Sequence, residues 1–178
     1  MKNGFTFPEL LIVLACIGLI ALIAVPVLAS MKLSANEALA TENMRTYYKA
    51  QHTYRFIHLS SSEANYGTAY QLLDEGLIEP EFADAINDNG SSVYYGYLYS
   101  ELITTDPPYP YSTCFQLESG PCVYNVDGKK QFYMTSDGVI FYRDIECDGL
   151  AGILEWPPVS FATLQGCGYQ MLPFPRFP

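Results

Sequence analysis

A run of 20 apolar residues near the N-terminus constrains this chain more than any other feature. It extends from Leu10 to Ala29 and contains only aliphatic residues, Ala, Cys, Gly and Pro. As a helix it would be about 30 Å long, which matches the hydrocarbon thickness of a bilayer. Because Lys2 precedes the run, the positive-inside rule predicts a cytoplasmic N-terminus and a single transmembrane helix. The run is too long for the apolar core of a signal peptide.

A single carboxylate, Glu9, lies at the start of this run, and the next charged residue is Lys32. A carboxylate at the edge of a membrane's apolar core is costly unless a positive group pairs with it. Glu9 therefore either reaches the interfacial water along its own side chain or has a dedicated cationic partner. Pro8 lies beside it in the first helical turn, where a missing N–H costs no hydrogen bond.

The stretch GFTFPELLIVLACIGLIALIAVP closely resembles the prepilin signature of type IV pilins and type II secretion pseudopilins. The likeness is carried by the aliphatic run together with Gly4, Phe5, Thr6, Glu9 and Pro26. Pro8 departs from the commoner aliphatic residue. The resemblance implies cleavage by a prepilin peptidase after Gly4 and N-methylation of Phe5. It also implies that Glu9 pairs with the new N-terminal amine of a neighbouring subunit during assembly.

The same resemblance implies a structural role. The chain would be a subunit of a type IV pilus-like helical filament, a fimbrium, built from its own copies through the helix of residues 5–29. The implied partners are the prepilin peptidase, an inner-membrane assembly platform and a cytoplasmic assembly ATPase. Before assembly the subunit would lie in the inner membrane. Two alternatives remain: a pseudopilin or minor pilin of a type II secretion or DNA-uptake system, and a membrane-tethered binding module that never polymerises.

Beyond the membrane the sequence predicts an α+β, pilin-like fold, in which one long helix packs against a small antiparallel sheet. Residues 30–58 contain neither Gly nor Pro, and they carry an apolar stripe at helical spacing, formed by Ala40, Met44, Tyr47, Tyr54 and Ile57. This segment is the predicted amphipathic continuation of the membrane helix. Pro26 removes one helical hydrogen bond, so a kink or a locally melted turn is expected there. The predicted organisation is a leader (1–4), a transmembrane and assembly helix (5–29), the amphipathic helix (30–58) and a globular head with a Pro-rich tail (59–178).

Local signals within the head predict one short helix and several strands. The helix is expected in YGTAYQLLDEGLI and should end at Gly76. Strands are expected in SVYYGYLYSEL, in CFQLES and in KKQFYMTSDGVIFYRD, where Asp137–Gly138 is a strong hairpin signal. The tail QMLPFPRFP should be extended, docked on its own head or on the next subunit.

Charge and motifs exclude several classes of function. The formal net charge is −10, and the segment between Phe56 and Gly128 holds eleven acidic residues with no Lys or Arg. Because nucleic acids are bound by clustered positive charge, no nucleic-acid partner is expected. The chain contains no GxSxG, P-loop or HExxH sequence. We therefore expect neither enzymatic activity nor an organic cofactor.

The five cysteines divide into one within the apolar run, Cys16, and four beyond it. An even number outside the membrane predicts two disulfides in an oxidising compartment, formed by Cys114, Cys122, Cys147 and Cys167. Three pairings are possible, and local hairpin closure favours Cys114–Cys122 with Cys147–Cys167. Zinc is the competing interpretation, although no CxxC pair is present and both histidines are distant in sequence.

One acidic stretch, DIECDGLAGILE, matches the spacing of a calcium loop. Oxygen ligands would come from positions one, three, five and twelve, which are Asp144, Glu146, Asp148 and Glu155, with Gly149 at the sixth position for the sharp bend. The stretch departs from the usual pattern by having Glu at the third position and a proline pair that prevents an exiting helix. Two interpretations of the stretch therefore remain. It is either a calcium site, which would allow the protein to act as a calcium-gated sensor, or a plain acidic loop beside Cys147.

Overall fold

The structure is a computed structural model, and it describes residues 6–59, 65–88, 91–105, 112–144, 149–150 and 170–172. The elements are α1 (Phe7–Ile57), α2 (Ala69–Asp74), α3 (Pro80–Asn87), β1 (Tyr97–Thr105), β2 (Ser112–Pro121), β3 (Lys130–Thr135), β4 (Ile140–Asp144) and β5 (Gln170–Met171). One long N-terminal helix packs with a small five-stranded antiparallel sheet. The predicted α+β, pilin-like fold is confirmed.

Helix α1 is a single helix of 51 residues that joins the apolar run to the amphipathic segment. Thr6 is its N-cap and His58 its C-cap. The helix continues through Pro26 without a melted turn. A proline removes one backbone donor, and the hydrogen bonds on either side of it keep the helix intact. The membrane half and the head are therefore connected by continuous helix.

The two halves of α1 differ in what surrounds them. From Phe7 to Met31 nearly every side chain is exposed, whereas the second half is covered by the head and buries Ala40, Met44, Tyr47, Ala50 and Gln51. The predicted stripe is right for its first three members, and Tyr54 is partly buried against the core. It is wrong for Ile57, which is 48% exposed. The last turn extends beyond the elements that cover the helix, so its apolar residues have nothing to pack against.

Two short helices lie between α1 and the sheet. Thr68 caps α2 in a capping box with Gln71, and Gly76 follows the helix with a positive φ of 68° that an L side chain would rarely adopt. Helix α3 was not predicted from the sequence. Proline does not continue a helix, but it is well suited to the first turn of a new one, which is where Pro80 lies.

The sheet is a simple meander in which each strand pairs with the next in sequence. Asp137–Gly138 lies in the turn between β3 and β4, as predicted, and Gly138 has φ +76°. Strand β5 contains only Gln170 and Met171 and adds to the outer edge of β4. Leu172 then donates its N–H to the Ile140 carbonyl at 2.9 Å and packs against the core. The start of the tail is thus docked on its own head, while residues 173–178 lie outside the described part of the chain.

Candidate assembly surface and its junction with the head

The first half of α1 presents a large apolar surface. Fifteen large apolar side chains between Phe7 and Met31 are exposed, and none of the most apolar 18-residue window is buried within the chain. Each such side chain gains about 1.5–3 kcal/mol on removal from water, so leaving all of them in water would cost at least about 20 kcal/mol. That exceeds the roughly 5–15 kcal/mol by which a domain is stable. The helix is long and apolar enough to cross a membrane, and it requires either lipid or other apolar helices around it.

Glu9 is bonded to the N-terminus of its own helix. The backbone N–H and the hydroxyl of Thr6 donate to Oε2 of Glu9 at 2.8 and 2.7 Å. The bond from the N–H is the glutamate half of a capping box at the start of α1. Pro8 occupies the first turn, where no N–H is required. Within the described residues, Oε1 of Glu9 accepts no hydrogen bond. Capping therefore uses one carboxylate oxygen, and none of the described side chains or backbone groups occupies the other.

The predicted processing residues, Gly4 and Phe5, lie outside the described residues, so the cleavage site remains a prediction. The exposed apolar part of α1, from Phe7 to Met31, is called the bare half below. Pro26 lies within it, 17 residues beyond Glu9. The structure thus brings Thr6 and Glu9 together and places Pro26 about 26 Å further along the same helix.

A buried polar network joins the second half of α1 to the sheet. The Tyr47 hydroxyl donates to Oε2 of Glu101 on β1 and accepts a hydrogen bond from Nε2 of Gln51 at 2.7 Å. Gln51 also bonds both backbone groups of Gly67, at 2.7 and 3.0 Å. The N–H of Ala69, the first residue of α2, donates to the other Glu101 oxygen at 3.1 Å. Two segments, residues 67–69 and strand β1, are therefore tied to one face of α1 and to each other.

Burial dominates the electrostatics of this network. It raises the pKa of Glu101 above the ordinary range, although the hydrogen bonds from Tyr47 and Ala69 lower it in part. Burial and the nearby Glu101 charge also raise the pKa of Tyr47 well above that of a free tyrosine. The sequence did not point to Glu101, which belongs to an ordinary strand pattern. Gln51 was detectable in principle, because it is a polar residue on the buried face of an amphipathic helix.

A second junction lies where α1 leaves the apolar run. Nζ of Lys32 is 3.0 Å from Oδ1 of Asp127, and Nδ2 of Asn36 donates to the Asp127 carbonyl at 2.8 Å. One turn further on, Glu37 accepts hydrogen bonds from Nζ of Lys130 at 2.8 Å and from the backbone N–H of Lys129 at 3.1 Å. The connection between β2 and β3 is thereby held against α1 close to the end of the apolar run.

The favoured disulfide pairing of Cys114 with Cys122 is wrong. The two residues are eight positions apart at opposite ends of β2, so their Cα atoms are about 26 Å apart. A disulfide requires about 4.4–6.8 Å. Local closure does not bring the two cysteines together because continuous strand runs from Cys114 to Pro121. Cys147 and Cys167 lie outside the described residues, and the presence of two disulfides remains a prediction.

The structure addresses the calcium hypothesis at two positions only. Asp144 ends β4 as an exposed residue, and its Oδ1 accepts a hydrogen bond from the Tyr124 hydroxyl at 3.3 Å. Gly149 has φ +78°, which is a sharp bend, and its carbonyl accepts a hydrogen bond from Gln131 at 2.7 Å. Within the described ranges no group of three acidic, His or Cys side chains could hold a metal ion. The other proposed ligands, Glu146, Asp148 and Glu155, lie outside those ranges, so calcium binding remains a prediction.

Comparison with known proteins identifies one feature of the chain. Residues 1–25 match the family model of the prokaryotic N-terminal methylation motif. The match therefore covers the leader and the first part of the bare helix, including Glu9 and its Thr6 cap. Searches of curated protein sequences and of solved structures find no match to this chain.

Proposed function

Because the chain carries the N-terminal methylation motif of type IV pilins and pseudopilins, we propose that it is a structural subunit of a type IV pilus-like filament. The observation that carries the proposal is the bare half of α1. A helix that cannot remain in water, attached rigidly to a folded head, is suited to a subunit that passes from a membrane into a helical bundle. The proposed role is mechanical, and no catalytic step is assigned to it.

Glu9 supplies the specificity of the proposed assembly step. A prepilin peptidase would cleave after Gly4 and leave a positively charged amine on Phe5. One Glu9 oxygen is engaged by Thr6, and no group in the part of the chain that the structure describes bonds the other, so a single carboxylate can cap its own helix and also bind the amine of a neighbouring subunit. In an apolar setting an unpaired carboxylate is costly, and this cost favours docking in register.

The apolar surface must also be covered in the filament. Packing α1 against the same helix of other copies keeps the fifteen exposed side chains out of water once the subunit has left the lipid. The unbroken helix through Pro26 connects this packing to the head. The proposed partners are therefore other copies of the chain, the prepilin peptidase, and an inner-membrane assembly platform with its ATPase. The proposed location is the inner membrane, N-terminus inside, and then an external filament.

The test is intact mass spectrometry of filaments sheared from the cell surface, compared with the envelope fraction. The expected species begins at N-methylated Phe5 and is present in the sheared material. A processed chain found only in the envelope would favour a pseudopilin or minor subunit of a secretion or DNA-uptake machine. A chain that keeps Met1–Gly4 in both fractions would refute the proposal.

A further inference from the structure

Two turns lie together at one end of the sheet, and we call them the base turns: residues 94–97 and residues 122–129. In the first, Tyr94 and Tyr97 exchange two backbone hydrogen bonds of 2.8 and 3.1 Å around Tyr95 and Gly96, both of which have positive φ. The N–H of Cys122 donates to the Gly96 carbonyl at 2.9 Å and joins the two turns. Their outermost residues are therefore at the same level of the head.

The base turns lie at the level where α1 leaves the membrane. Asp127 contacts Lys32 and Asn36, and Lys32 is three residues beyond Ala29, the last residue of the apolar run. Three helical residues correspond to about 4.5 Å. The headgroup region extends roughly 5–8 Å beyond the hydrocarbon on each side of a bilayer. Asn36 lies seven residues beyond Ala29, about 10.5 Å along the helix, so with the apolar run spanning the hydrocarbon Asp127 lies at the outer edge of the lipid headgroups.

The path of the strands directs the base turns toward the lipid. Asp127 contacts α1 at Lys32, whereas Lys130, three residues later, contacts it at Glu37. Strand β3 thus runs away from the membrane, and β2, which is antiparallel to it, runs toward the membrane. The connection between them is consequently the part of the sheet nearest the bilayer.

The exposed side chains of the base turns suit a lipid interface. Tyr95, Val123 and Val126 are 56%, 43% and 54% exposed. Tyrosine is enriched at membrane–water interfaces, where its ring contacts acyl chains and its hydroxyl contacts water. All three side chains remain exposed on the folded head.

Charge at this end of the head also favours lipid. Four of the nine Lys and Arg residues of this acidic chain lie here, namely Lys32, Lys129, Lys130 and Arg143. Asp127 is paired with Lys32, Glu37 with Lys130, and Asp144 accepts a hydrogen bond from a tyrosine hydroxyl. The Lys129 side chain is exposed and makes no ion pair within the described residues. An exposed cation near apolar side chains is suited to a surface that carries lipid phosphates.

We propose that the base turns rest on the outer surface of the membrane before assembly, with Tyr95, Val123 and Val126 among the lipid headgroups and Lys129 beside their phosphates. This inference rests on the membrane-anchored precursor of the proposed function. The contact would hold the head in a fixed orientation on the bilayer and add a second membrane attachment to that of α1. Entry into a filament would then exchange this lipid contact for protein.

The experiment uses the full chain in vesicles of phosphatidylethanolamine and phosphatidylglycerol that contain lipids with a nitroxide on the headgroup. The single tryptophan is first removed by Trp156→Phe, and Val126→Trp then provides the only tryptophan. The matched control is Phe56→Trp, because Phe56 is even more exposed than Val126 (76% against 54%) but lies 24 helical residues beyond Lys32, about 36 Å away. Fluorescence quenching by the nitroxide should be several-fold stronger at position 126 than at position 56.

Two further variants separate the possible failures. Because tryptophan itself favours interfaces, Val123→Asp is added to the Val126→Trp reporter, and it should reduce the quenching by repulsion from anionic headgroups.

Leu19→Trp, tested with nitroxide on the acyl chains, reports whether α1 spans the bilayer. Quenching at position 19 without quenching at position 126 would overturn the docking and leave the proposed function intact. Absence of quenching at position 19 would remove the membrane anchor itself. Protection of position 126 in sheared filaments alone would assign the surface to another subunit and likewise overturn the proposal.

Discussion

Tyr47→Phe should weaken the attachment of the head to α1 while preserving the shape of the core. The substitution deletes one hydroxyl from a fully buried ring. That hydroxyl donates to the Glu101 carboxylate and accepts a hydrogen bond from Gln51. The ring also packs edge-on against Phe115, with centroids 5.6 Å apart, and phenylalanine keeps this contact. The experiment therefore isolates the polar part of the junction.

The expected loss follows from the two hydrogen bonds. A hydrogen bond to a charged group contributes about 1.5–3 kcal/mol and a neutral one about 0.5–1.5 kcal/mol. Gln51 retains its bonds to Gly67, so the second contribution lies toward its lower limit. We expect the free energy of unfolding to fall by about 2–4 kcal/mol. For a chain of this size each kcal/mol shifts the melting temperature by roughly 2–4 °C, so Tm should drop by roughly 4–16 °C.

The assay is thermal unfolding of the full chain in detergent, followed by the near-ultraviolet circular dichroism of its tyrosines. Tyr48→Phe is the matched control, because the neighbouring Tyr48 packs against Phe115 but its hydroxyl makes no hydrogen bond within the described residues. It should change Tm little. The double variant with Glu101→Gln should lose less than the sum of the single variants, because the two side chains share one bond.

If Tyr47→Phe is as stable as Tyr48→Phe, the Tyr47 hydroxyl does not stabilise the junction. If the effects of Tyr47→Phe and Glu101→Gln are additive, the two groups do not interact in solution, which would equally contradict the prediction.

Three further predictions concern charge and close packing. Glu9→Ala should abolish filament assembly while the chain still enters the membrane. Glu9→Gln keeps an acceptor for the Thr6 cap and should also fail to assemble. Filaments of the Gln variant, seen by electron microscopy of sheared material, would show that no ion pair is needed. Burial raises the pKa of Glu101, so as the pH rises above the ordinary glutamate pKa of about 4.3 the unfolded state ionises first and stability falls until the folded pKa is passed. Denaturant titrations should therefore give a loss of stability with rising pH in this window that Glu101→Gln lacks, and parallel curves would contradict the assignment. Gly120→Ala should lower the free energy of unfolding by about 1–3 kcal/mol, because the added Cβ would lie 1.9 Å from the Gly149 carbonyl oxygen. The control is Gly18→Ala, whose added Cβ would meet nothing within 4 Å beyond its chain neighbours and the backbone of its own helix. It should leave the stability of the head unchanged in the same unfolding measurement.

Short-range signals in the sequence were enough for several elements. The turn at Asp137–Gly138 was predictable because few dipeptides adopt positive φ readily, and α2 was predictable because Gly76 stops it. Helix α3 was missed because Pro80 is compatible with both the end and the start of a helix. Strand β5 has two residues, too few for an alternating pattern to be recognisable.

Long-range features were predicted poorly. Local closure suggested Cys114–Cys122, but the straight extension of β2 places the two residues far apart. Tyr47 and Glu101 are 54 positions apart, and no pattern around either residue indicates the other. Their contact depends on how β1 lies across α1, which is a property of the assembled core.

The membrane helix, its processing motif and the α+β class can be predicted from the sequence, because length, period and apolar content act along a contiguous segment. Three features follow only from the folded chain: which face of α1 is covered, which turn at the end of α1 extends beyond the head, and the contact of Asp127 with Lys32 and Asn36. The last contact joins residues 91 positions apart. Such contacts follow from the register and direction of strands packed against a helix, and that geometry is set by the core as a whole.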